Sequence, residues 1–263
     1  PQVNDPERLR ILDMLTAERG AGMQASPRFL MERVSHRFSI AKDGAEAVAA
    51  EVGGTAFSAD VTSGPEVVRA VEMTESAIGP IDLFCSNAGV FVPGGAEVDD
   101  ACWQNIWEVN VMAHVHAARA VLPSMLSRGR GYLLQTSSAA GLLSQIGSAP
   151  YSVTKHAAIG FAEWLAITYG DKGIGVSVLC PQAVRTRMTD GVTARTASVV
   201  DGMIEPDQVA DAVVAGLADE QFLILPHPEV LEYLRRKTSD YDRWLRGMRK
   251  LKGRLPDVPV EPQ

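Results

Sequence analysis

Apolar runs of strand length alternate with segments of helical period along most of the chain. Helical periodicity covers residues 44–52 and an amphipathic segment from Ser63 to Ile78, with a short strand at 55–58 between them. A second set of apolar runs covers residues 81–87, 131–138, 175–181 and 222–226. Between these runs lie a long helix that includes Trp103 to Met125 and a helix that begins near Tyr151. Because parallel strands need crossover connections of a dozen or more residues, this order predicts an α/β fold with a doubly wound parallel sheet and helices on both faces.

The domain organisation follows from the lack of internal boundaries. Residues 10–235 contain no long linker, no low-complexity tract and no repeat that we can detect. The sequence therefore predicts one domain over residues 10–235. An extension over residues 1–9 precedes it and a helical tail over residues 236–263 follows it.

The charge balance narrows the range of partners. The chain carries 32 acidic and 25 basic residues and a formal net charge of −7, which disfavours a surface that binds nucleic-acid phosphates. A basic cluster lies between Arg243 and Arg254, and we interpret it as a solvated helix face. We therefore expect a small-molecule substrate, no nucleic acid and no membrane as partners.

The cysteines and the termini bear on the compartment. Cys85, Cys102 and Cys180 lie in apolar surroundings without CxxC spacing, which indicates reduced core thiols and no metal site. The first residues are polar and lack an apolar signal core, and no apolar run approaches about 18 residues. We expect a cytoplasmic protein.

Tyr151 and Lys155 are the first candidates for chemistry. Their spacing of four residues places both side chains on one face of a helix, about one turn apart. The pKa of a free tyrosine must fall by about 3, which corresponds to about 4 kcal/mol, before the phenol can exchange a proton near neutral pH. A neighbouring ammonium supplies part of that stabilisation, so the pair can work as a unit.

Two further polar residues extend this pair. Ser138 follows an apolar strand, and in a doubly wound sheet such positions face the ligand crevice, where a hydroxyl can hydrogen-bond a substrate carbonyl. Ser137 and Ser138 could also serve in turns or helix caps, and one of them is expected to do only that. Asn110 interrupts a strong helical pattern, where an amide either meets solvent, caps a neighbouring helix or holds a water beside Lys155.

Together these motifs resemble the short-chain dehydrogenase/reductase family. The resemblance is carried in order by Asn87-Ala88-Gly89, by Asn110 in Asn-Val-x-Ala, by Ser138 in Ser-Ser-x-Ala-Gly, by Tyr151-Ser-x-x-Lys155, and by Cys180-Pro181 followed by Val184 and Thr186. It covers residues 44–190 and, more loosely, extends to about residue 235. It implies a Rossmann-like fold and an NAD(P)-dependent oxidoreductase that interconverts a secondary alcohol and a ketone.

The resemblance also implies a role for each catalytic residue. Tyr151 would be the general acid/base, and Lys155 would lower its pKa and hydrogen-bond the nicotinamide ribose. Ser138 would orient the substrate oxygen, and Asn110 would support a water-linked proton relay. The hydride chemistry belongs to the cofactor, while the protein positions the reactants.

The same resemblance assigns the cofactor contacts. Asp60 and Val61 match the adenine position, and the segment Asn87-Ala88-Gly89 matches the adenosine-ribose side. Val184 and Thr186, which follow Pro181, match the nicotinamide carboxamide position. Tyr151 and Lys155 complete this set.

The N-terminal part departs from the family pattern. The alignment takes residues 10–16 as the first strand, Gly20-Ala21-Gly22-Met23-Gln24 as the glycine-rich phosphate turn, and residues 37–41 as the second strand. Gln24 replaces a glycine where backbone must approach the pyrophosphate. After the second strand, an acidic residue favours NAD and a basic one favours NADP; Lys42 and Asp43 stand there, and we favour NAD. Gln182 replaces another glycine of the family, beside the nicotinamide.

Three functional hypotheses remain open from the sequence. The first is the active oxidoreductase, which is supported by the retained catalytic residues. The second is a catalytically silent relative that acts as a binding or assembly partner, which the altered glycine turn favours. The third is an isomerase or dehydratase that uses the same tyrosine and lysine.

The helices also bear on assembly. The segments 103–125 and 152–169 carry apolar residues on more than one face, including Trp103, Trp107, Phe161 and Trp164. A single apolar stripe that faces the core does not require so many apolar residues. Since the family resemblance implies assembly through these helices, we expect a homodimer or homotetramer.

Overall fold

A seven-stranded parallel sheet forms the centre of the molecule. The structure is a computed structural model that describes residues 11–14, 35–38, 49–50, 54–189 and 201–255. The strand order is β3-β2-β1-β4-β5-β6-β7, and every neighbouring pair is parallel. The strands are β1 (Ile11–Met14), β2 (Ser35–Phe38), β3 (Thr55–Phe57), β4 (Leu83–Ser86), β5 (Gly131–Thr136), β6 (Ile174–Leu179) and β7 (Leu223–Ile224).

The helices connect these strands in the expected order. Within the described residues they are α1 (Gly64–Ile78), α2 (Asp100–Trp107), α3 (Ala113–Arg128), α4 (Ala140–Leu143), α5 (Ala149–Tyr169), α6 (Pro206–Ala218), α7 (Glu229–Ser239) and α8 (Tyr241–Lys252). The prediction of a doubly wound parallel sheet is therefore confirmed. The strand order reverses between β1 and β4, which is where such sheets open a ligand crevice at their carboxyl edge.

The two faces of the sheet carry separate cores. Phe84 of β4 and Leu133 of β5 pack with α1, α3 and α5 on one face, which we call the α3 face. Leu83 and Leu134 point the other way and pack with α6, which defines the α6 face. This alternation is the period of two that a strand buried on both faces imposes.

Two predicted elements differ from those observed. The second strand runs over Ser35–Phe38 and not over residues 37–41, because its backbone pairs with β1 from Ile11 opposite Ser35 to Met14 opposite Phe38. The helix predicted over Trp103 to Met125 is divided by a π-helical turn at Glu108–Met112. The predicted helix at 44–52 lies largely outside the described residues.

The C-terminal helices pack back onto the sheet domain. Val230 of α7 is fully buried against Ala139 and Leu143, and Lys237 Nζ donates a hydrogen bond to the Leu142 carbonyl at 2.5 Å. Helix α7 runs without a break across residue 235. Helix α8 has no buried residue, so the basic cluster is solvated over its described part. Within the described residues, no helix is both long enough and apolar enough to span a bilayer.

Candidate active site

The start of helix α5 positions Tyr151. Ser148 caps this helix: its hydroxyl oxygen accepts from the Tyr151 backbone N–H at 3.1 Å, and the same hydroxyl donates to the Val92 carbonyl at 2.5 Å. Pro150 fits the first turn, where no backbone donor is needed. Tyr151 therefore lies in the first turn of α5, directly beside the loop that follows β4.

Lys155 lies one turn further along the same helix face. Its ammonium nitrogen is 5.6 Å from the centroid of the Tyr151 ring and donates to the Thr136 carbonyl at 3.2 Å. The side chain is 3% exposed, and this burial lowers the pKa of Lys155 to about 8. Lys155 is therefore mostly protonated at neutral pH, and its charge is screened little by water.

The phenol of Tyr151 is held in its protonated form. Burial raises the pKa of Tyr151, because the phenolate loses hydration, while a hydrogen bond with the Ser138 side chain acts in the opposite direction. The lowering that the sequence led us to expect is not found in the protein alone. The effect of burial on the pKa of Tyr151 outweighs that of the Ser138 hydrogen bond, and the Lys155 ammonium donates to the Thr136 carbonyl.

The two serines after β5 have different partners. Ser137 is buried and donates from its hydroxyl to the Lys155 backbone carbonyl at 2.9 Å. Ser138 is less buried, donates to the Pro181 carbonyl at 3.3 Å and faces Tyr151. Ser137 therefore fixes the position of α5 against the sheet, whereas Ser138 is the serine that lies beside the phenol.

Asn110 occupies the π-helical turn and is fully buried. Its side-chain oxygen accepts from the Val90 N–H at 2.8 Å, and its side-chain nitrogen donates to the Val90 carbonyl at 3.0 Å and to Thr154 Oγ1 at 3.2 Å. Of the three positions that the sequence left open for this amide, exposure to solvent is therefore wrong. Asn110 joins the loop after β4 to helix α5, and π-turns of this kind occur frequently at functional sites.

The loop after β4 approaches Lys155 closely. A Cβ atom added to Gly89 would lie 3.2 Å from Lys155 Nζ, which is a tight contact, and 3.5 Å from Asn110 Oδ1, which is an ordinary one. Ala88 is buried in the core on the α3 face, and Asn87 follows the last residue of β4. The three predicted residues thus line the edge of the sheet beside the lysine.

The predicted adenine contacts lie at the end of β3. One carboxylate oxygen of Asp60 accepts from both the backbone N–H and the hydroxyl of Thr62, at 2.9 and 2.7 Å. This turn fixes the carboxylate at the carboxyl edge of the sheet. Val61 is 1% exposed and belongs to the core, so any contact with a ligand would have to use its backbone.

The segment after β6 forms the other wall. The Pro181 carbonyl accepts from the Ala139 N–H at 2.9 Å, which joins this wall to Ser138. The Val184 side chain packs into the core on the α6 face, and the Thr186 N–H donates to Thr189 Oγ1 at 3.0 Å. The backbone N–H of Gln182 donates to His227 Nδ1 at 3.2 Å.

Some predicted residues cannot be placed. Gly20, Gly22 and Met23 of the glycine-rich turn, and Lys42 after the second strand, lie outside the described residues. Among the residues described, no group of three or more His, Cys, Asp and Glu side chains is suited to hold a metal ion. Cys85 and Cys180 are buried thiols as expected, while Cys102 is only partly buried.

Sequence reasoning missed three groups near the pair. The Phe91 ring lies 5.1 Å from the Tyr151 ring, between centroids, and is 39% exposed. The Cys180 thiol is buried close enough to interact electrostatically with Lys155, and burial raises its pKa to about 12. His114, one turn after Asn110, is 1% exposed. The sequence signal that could have pointed to His114 is its position four residues after Asn110, on the same face of the helix.

Comparison with known proteins identifies the family. The model of the short chain dehydrogenase family matches residues 14–197. A 1-deoxy-11-beta-hydroxypentalenate dehydrogenase from Streptomyces exfoliatus is 37% identical over 191 residues, which cover 71% of this chain and 69% of that protein. The protein of the same name from Streptomyces arenae is 34% identical over 238 residues, 85% of this chain and 84% of that protein.

A solved structure agrees at the level of the fold. The crystal structure of a short-chain dehydrogenase from Streptomyces avermitilis has a TM-score of 0.76 and 21% identity, covering 93% of this chain and 98% of that chain. The family model and the two relatives, and not this structure, place the activity among oxidoreductases that act on CH–OH groups, in a family that uses NAD or NADP. The chain belongs to the short-chain dehydrogenase family.

Proposed function

We propose that the protein interconverts a secondary alcohol and a ketone, with Tyr151 as general acid/base. The observation that carries this proposal is the meeting of Ser138, Tyr151 and Lys155 at one point of the carboxyl edge. The three come from two elements: Ser138 follows β5, and Tyr151 and Lys155 both lie on α5. A carbonyl oxygen placed between the Ser138 and Tyr151 hydroxyls would accept a hydrogen bond from each.

The proton step follows from the state of these groups. In ketone reduction, the Tyr151 O–H donates its proton to the carbonyl oxygen, and the raised pKa keeps this proton available at neutral pH. The Ser138 hydroxyl, once turned away from the Pro181 carbonyl to which it donates in the structure, holds the same oxygen in place. The positive charge of Lys155 favours the phenolate that remains, and in the reverse direction that phenolate accepts the alcohol proton.

The described residues at this edge fit a dinucleotide. Gly89 leaves room beside Lys155 that a side chain would fill, and the Lys155 ammonium has protons beyond the one donated to Thr136. Asp60 would hold the adenine end, while Lys155, with backbone groups of Val184 and Thr186, would hold the nicotinamide end. When bound, the cofactor supplies or accepts the hydride at the carbinol carbon. We favour NAD over NADP, from Asp43 in the sequence.

The substrate side is apolar next to Tyr151. Phe91 offers an exposed ring beside the phenol, which would cover the apolar carbon skeleton of a substrate. Two relatives are named as dehydrogenases of a hydroxylated compound. We therefore propose a bulky, largely apolar alcohol or ketone as the substrate class.

Assembly and catalysis are separate parts of the proposal. Helix α5 presents Val153, Trp164 and Ile167 to solvent with exposures of 47%, 53% and 84%. These positions recur at helical spacing and form one apolar stripe, which we call the α5 stripe. We propose that it pairs with a second copy of the chain in a homo-oligomer.

Nucleotide binding tests whether the protein is an active dehydrogenase or a silent relative. Purified protein is titrated with NADH and with NADPH, and nicotinamide fluorescence is followed. We expect saturation at micromolar concentration, tighter for NADH. A folded protein that binds neither nucleotide at millimolar concentration would contradict the oxidoreductase and support the silent alternative that Gln24 in the glycine turn suggests.

A further inference from the structure

A group of buried polar atoms lies behind Lys155 without partners. Within the part of the chain that the structure describes, four buried atoms of this group make no hydrogen bond to a protein group: Ser86 Oγ, Gln135 Oε1 and both ring nitrogens of His114. Ser86, His114 and Gln135 are 3%, 1% and 2% exposed. A buried polar atom without a hydrogen-bond partner destabilises the folded protein, so four together call for a bound partner.

The strand register brings two of these residues side by side. Ser86 is the last residue of β4, and its partner across the parallel pair is Gln135 of β5. Each lies two positions after a residue of the α3 face, Phe84 in β4 and Leu133 in β5. Because side chains alternate along a strand, both polar side chains point to the α3 face at its carboxyl edge.

The direction of helix α3 brings His114 to the same edge. The helix ends at Arg128 and β5 begins at Gly131, so the C-terminal end of α3 lies at the amino edge of the sheet. The first turn, with His114, therefore lies at the carboxyl edge. His114 is one turn after Asn110 and is fully buried, while His116 contacts the Gly64 region of α1 instead.

The Lys155 ammonium lies beside this group of polar side chains. Its ammonium donates to the carbonyl of Thr136, the residue after Gln135. Burial first, and then the charge of Lys155, lower the pKa of His114 to about 3. The imidazole is therefore neutral, with one donor and one acceptor nitrogen. The other titratable groups near the ammonium are Tyr151 on α5 and the Cys180 thiol after β6.

We propose that Ser86, His114 and Gln135 bind water behind Lys155, and that His114 is a positioning residue that holds the ammonium through this water. Water suits the group because it both donates and accepts, as a hydroxyl, an amide oxygen and a neutral imidazole together require. Buried waters make about three hydrogen bonds to such groups. The absence of direct bonds among the three side chains is consistent with a bridging molecule between them.

This water should change the pH dependence of the proposed reaction. The kinetic part of the inference therefore rests on the proposed function. A water oxygen that accepts from the ammonium favours charged Lys155. Replacing it by hydrocarbon removes one hydrogen bond to a charged group, so the ammonium loses its proton at lower pH. In ketone reduction, the basic limb of the kcat/KM profile should then move to lower pH.

The first test is structural and needs no activity. A high-resolution crystal structure of the wild-type chain should show ordered water bonded to His114 and to Ser86 or Gln135. His114→Leu should lose this water, and His116→Leu should keep it. Wild-type His114 nitrogens bonded only to protein groups, or a dry cavity, would overturn the proposal.

The second test is kinetic. We expect His114→Leu to shift the basic limb by about one pH unit, while His114→Gln restores most of the wild-type profile and His116→Leu leaves it unchanged. If His114→Leu does not fold, Ser86→Ala removes one partner of the water with a smaller change in volume. Superimposable pH profiles for the folded variants would refute the positioning role. A wild-type protein without any turnover would contradict the proposed function alone, since the crystallographic test would still decide on the water.

Discussion

At the scale of single residues, the neighbouring Ser137 and Ser138 have different roles, one in packing and the other beside Tyr151. Ser137 satisfies a buried carbonyl of the helix that carries Lys155, whereas Ser138 faces the phenol of Tyr151. The sequence named Ser138 as the candidate and expected one of the two serines to have only a turn or cap role. The contacts show what Ser137 does instead: it donates to the Lys155 carbonyl, a partner 18 residues away that no local pattern specifies.

This difference gives the first prediction. Ser138→Ala should lower kcat by about 100-fold, the cost of losing one donor to the reacting oxygen, and should also lower stability, because Ser138 donates to the Pro181 carbonyl and accepts from the Ala140 N–H. Ser137→Ala should instead lower the free energy of unfolding by about 0.5–1.5 kcal/mol, because α5 loses one buried hydrogen bond to the sheet edge while the Lys155 carbonyl keeps its partner within the helix. Urea denaturation and steady-state turnover on both variants measure the two effects. Equal effects of both substitutions on kcat would contradict the assignment.

His114 gives a second prediction, on the pH dependence of stability. Its pKa is lowered from 6.5 to about 3 in the folded chain, so the unfolded chain binds the proton first as pH falls. The stability that neutral His114 contributes is thus present above pH 6.5 and is lost on acidification toward pH 3. The slope that it adds is at most about 1.4 kcal/mol per pH unit.

Urea denaturation at pH 7, 6 and 5 measures this slope. His114→Leu should flatten the fall in unfolding free energy, whereas His116→Leu should reproduce the wild-type slope. Identical slopes for wild type and His114→Leu would show that His114 titrates normally in the folded protein.

At the scale of elements, close packing between α4 and α5 places Lys155 against the sheet. A Cβ atom added to Gly141 of α4 would lie 2.5 Å from the Lys155 carbonyl oxygen and 2.7 Å from Ile159 Cδ1. Gly160, on α5 itself, has no atom within 4 Å of such a Cβ. The two glycines therefore differ in whether the packing requires them.

The third prediction compares these glycines. Gly141→Ala should destabilise the protein by about 1–3 kcal/mol through overpacking and should lower kcat, because α5 must shift. Gly160→Ala should be neutral or stabilise by up to about 1 kcal/mol through helix propensity. Thermal unfolding and turnover of the two variants check this. A stable, fully active Gly141→Ala protein would show that α4 does not constrain Lys155.

The elements also show what the sequence could predict. Apolar runs between helices predicted the parallel sheet, because a strand buried on both faces needs apolar residues on both, and the spacing of four predicted that Tyr151 and Lys155 share a helix face. The π-turn at Asn110 was missed, since the helical periodicity continues through it. The group around His114 was missed because it depends on the register of β4 against β5, which no local pattern encodes.

At the scale of the whole molecule, α5 exposes three large apolar side chains on one face, among them Ile167, the most exposed large apolar residue described. The α5 stripe of Val153, Trp164 and Ile167 lies on the opposite side of α5 from the buried residues that meet the sheet, such as Ile159 and Leu165. Trp164 stacks on Phe161 at 6.4 Å between ring centroids, which holds the exposed indole in place. Contiguous apolar patches of this kind are typical of subunit interfaces.

The fourth prediction concerns the oligomer. Light scattering after size-exclusion chromatography should give a mass of at least two chains, and Ile167→Glu should lower it by burying a charge in the interface. Val214→Glu, at an exposed valine of α6, should leave the mass unchanged. A monomeric wild-type protein would contradict the homo-oligomer.

The central claim is that Tyr151 transfers the proton in hydride exchange between alcohol and ketone. The most direct measurement compares NADH-dependent ketone reduction by the wild-type chain, by Tyr151→Phe, and by Tyr169→Phe at the other end of the same helix. We predict that kcat falls by about 10³-fold in Tyr151→Phe, with NADH binding retained, and stays at the wild-type level in Tyr169→Phe. A Tyr151→Phe protein that binds NADH and reduces the ketone at the wild-type rate would contradict the account.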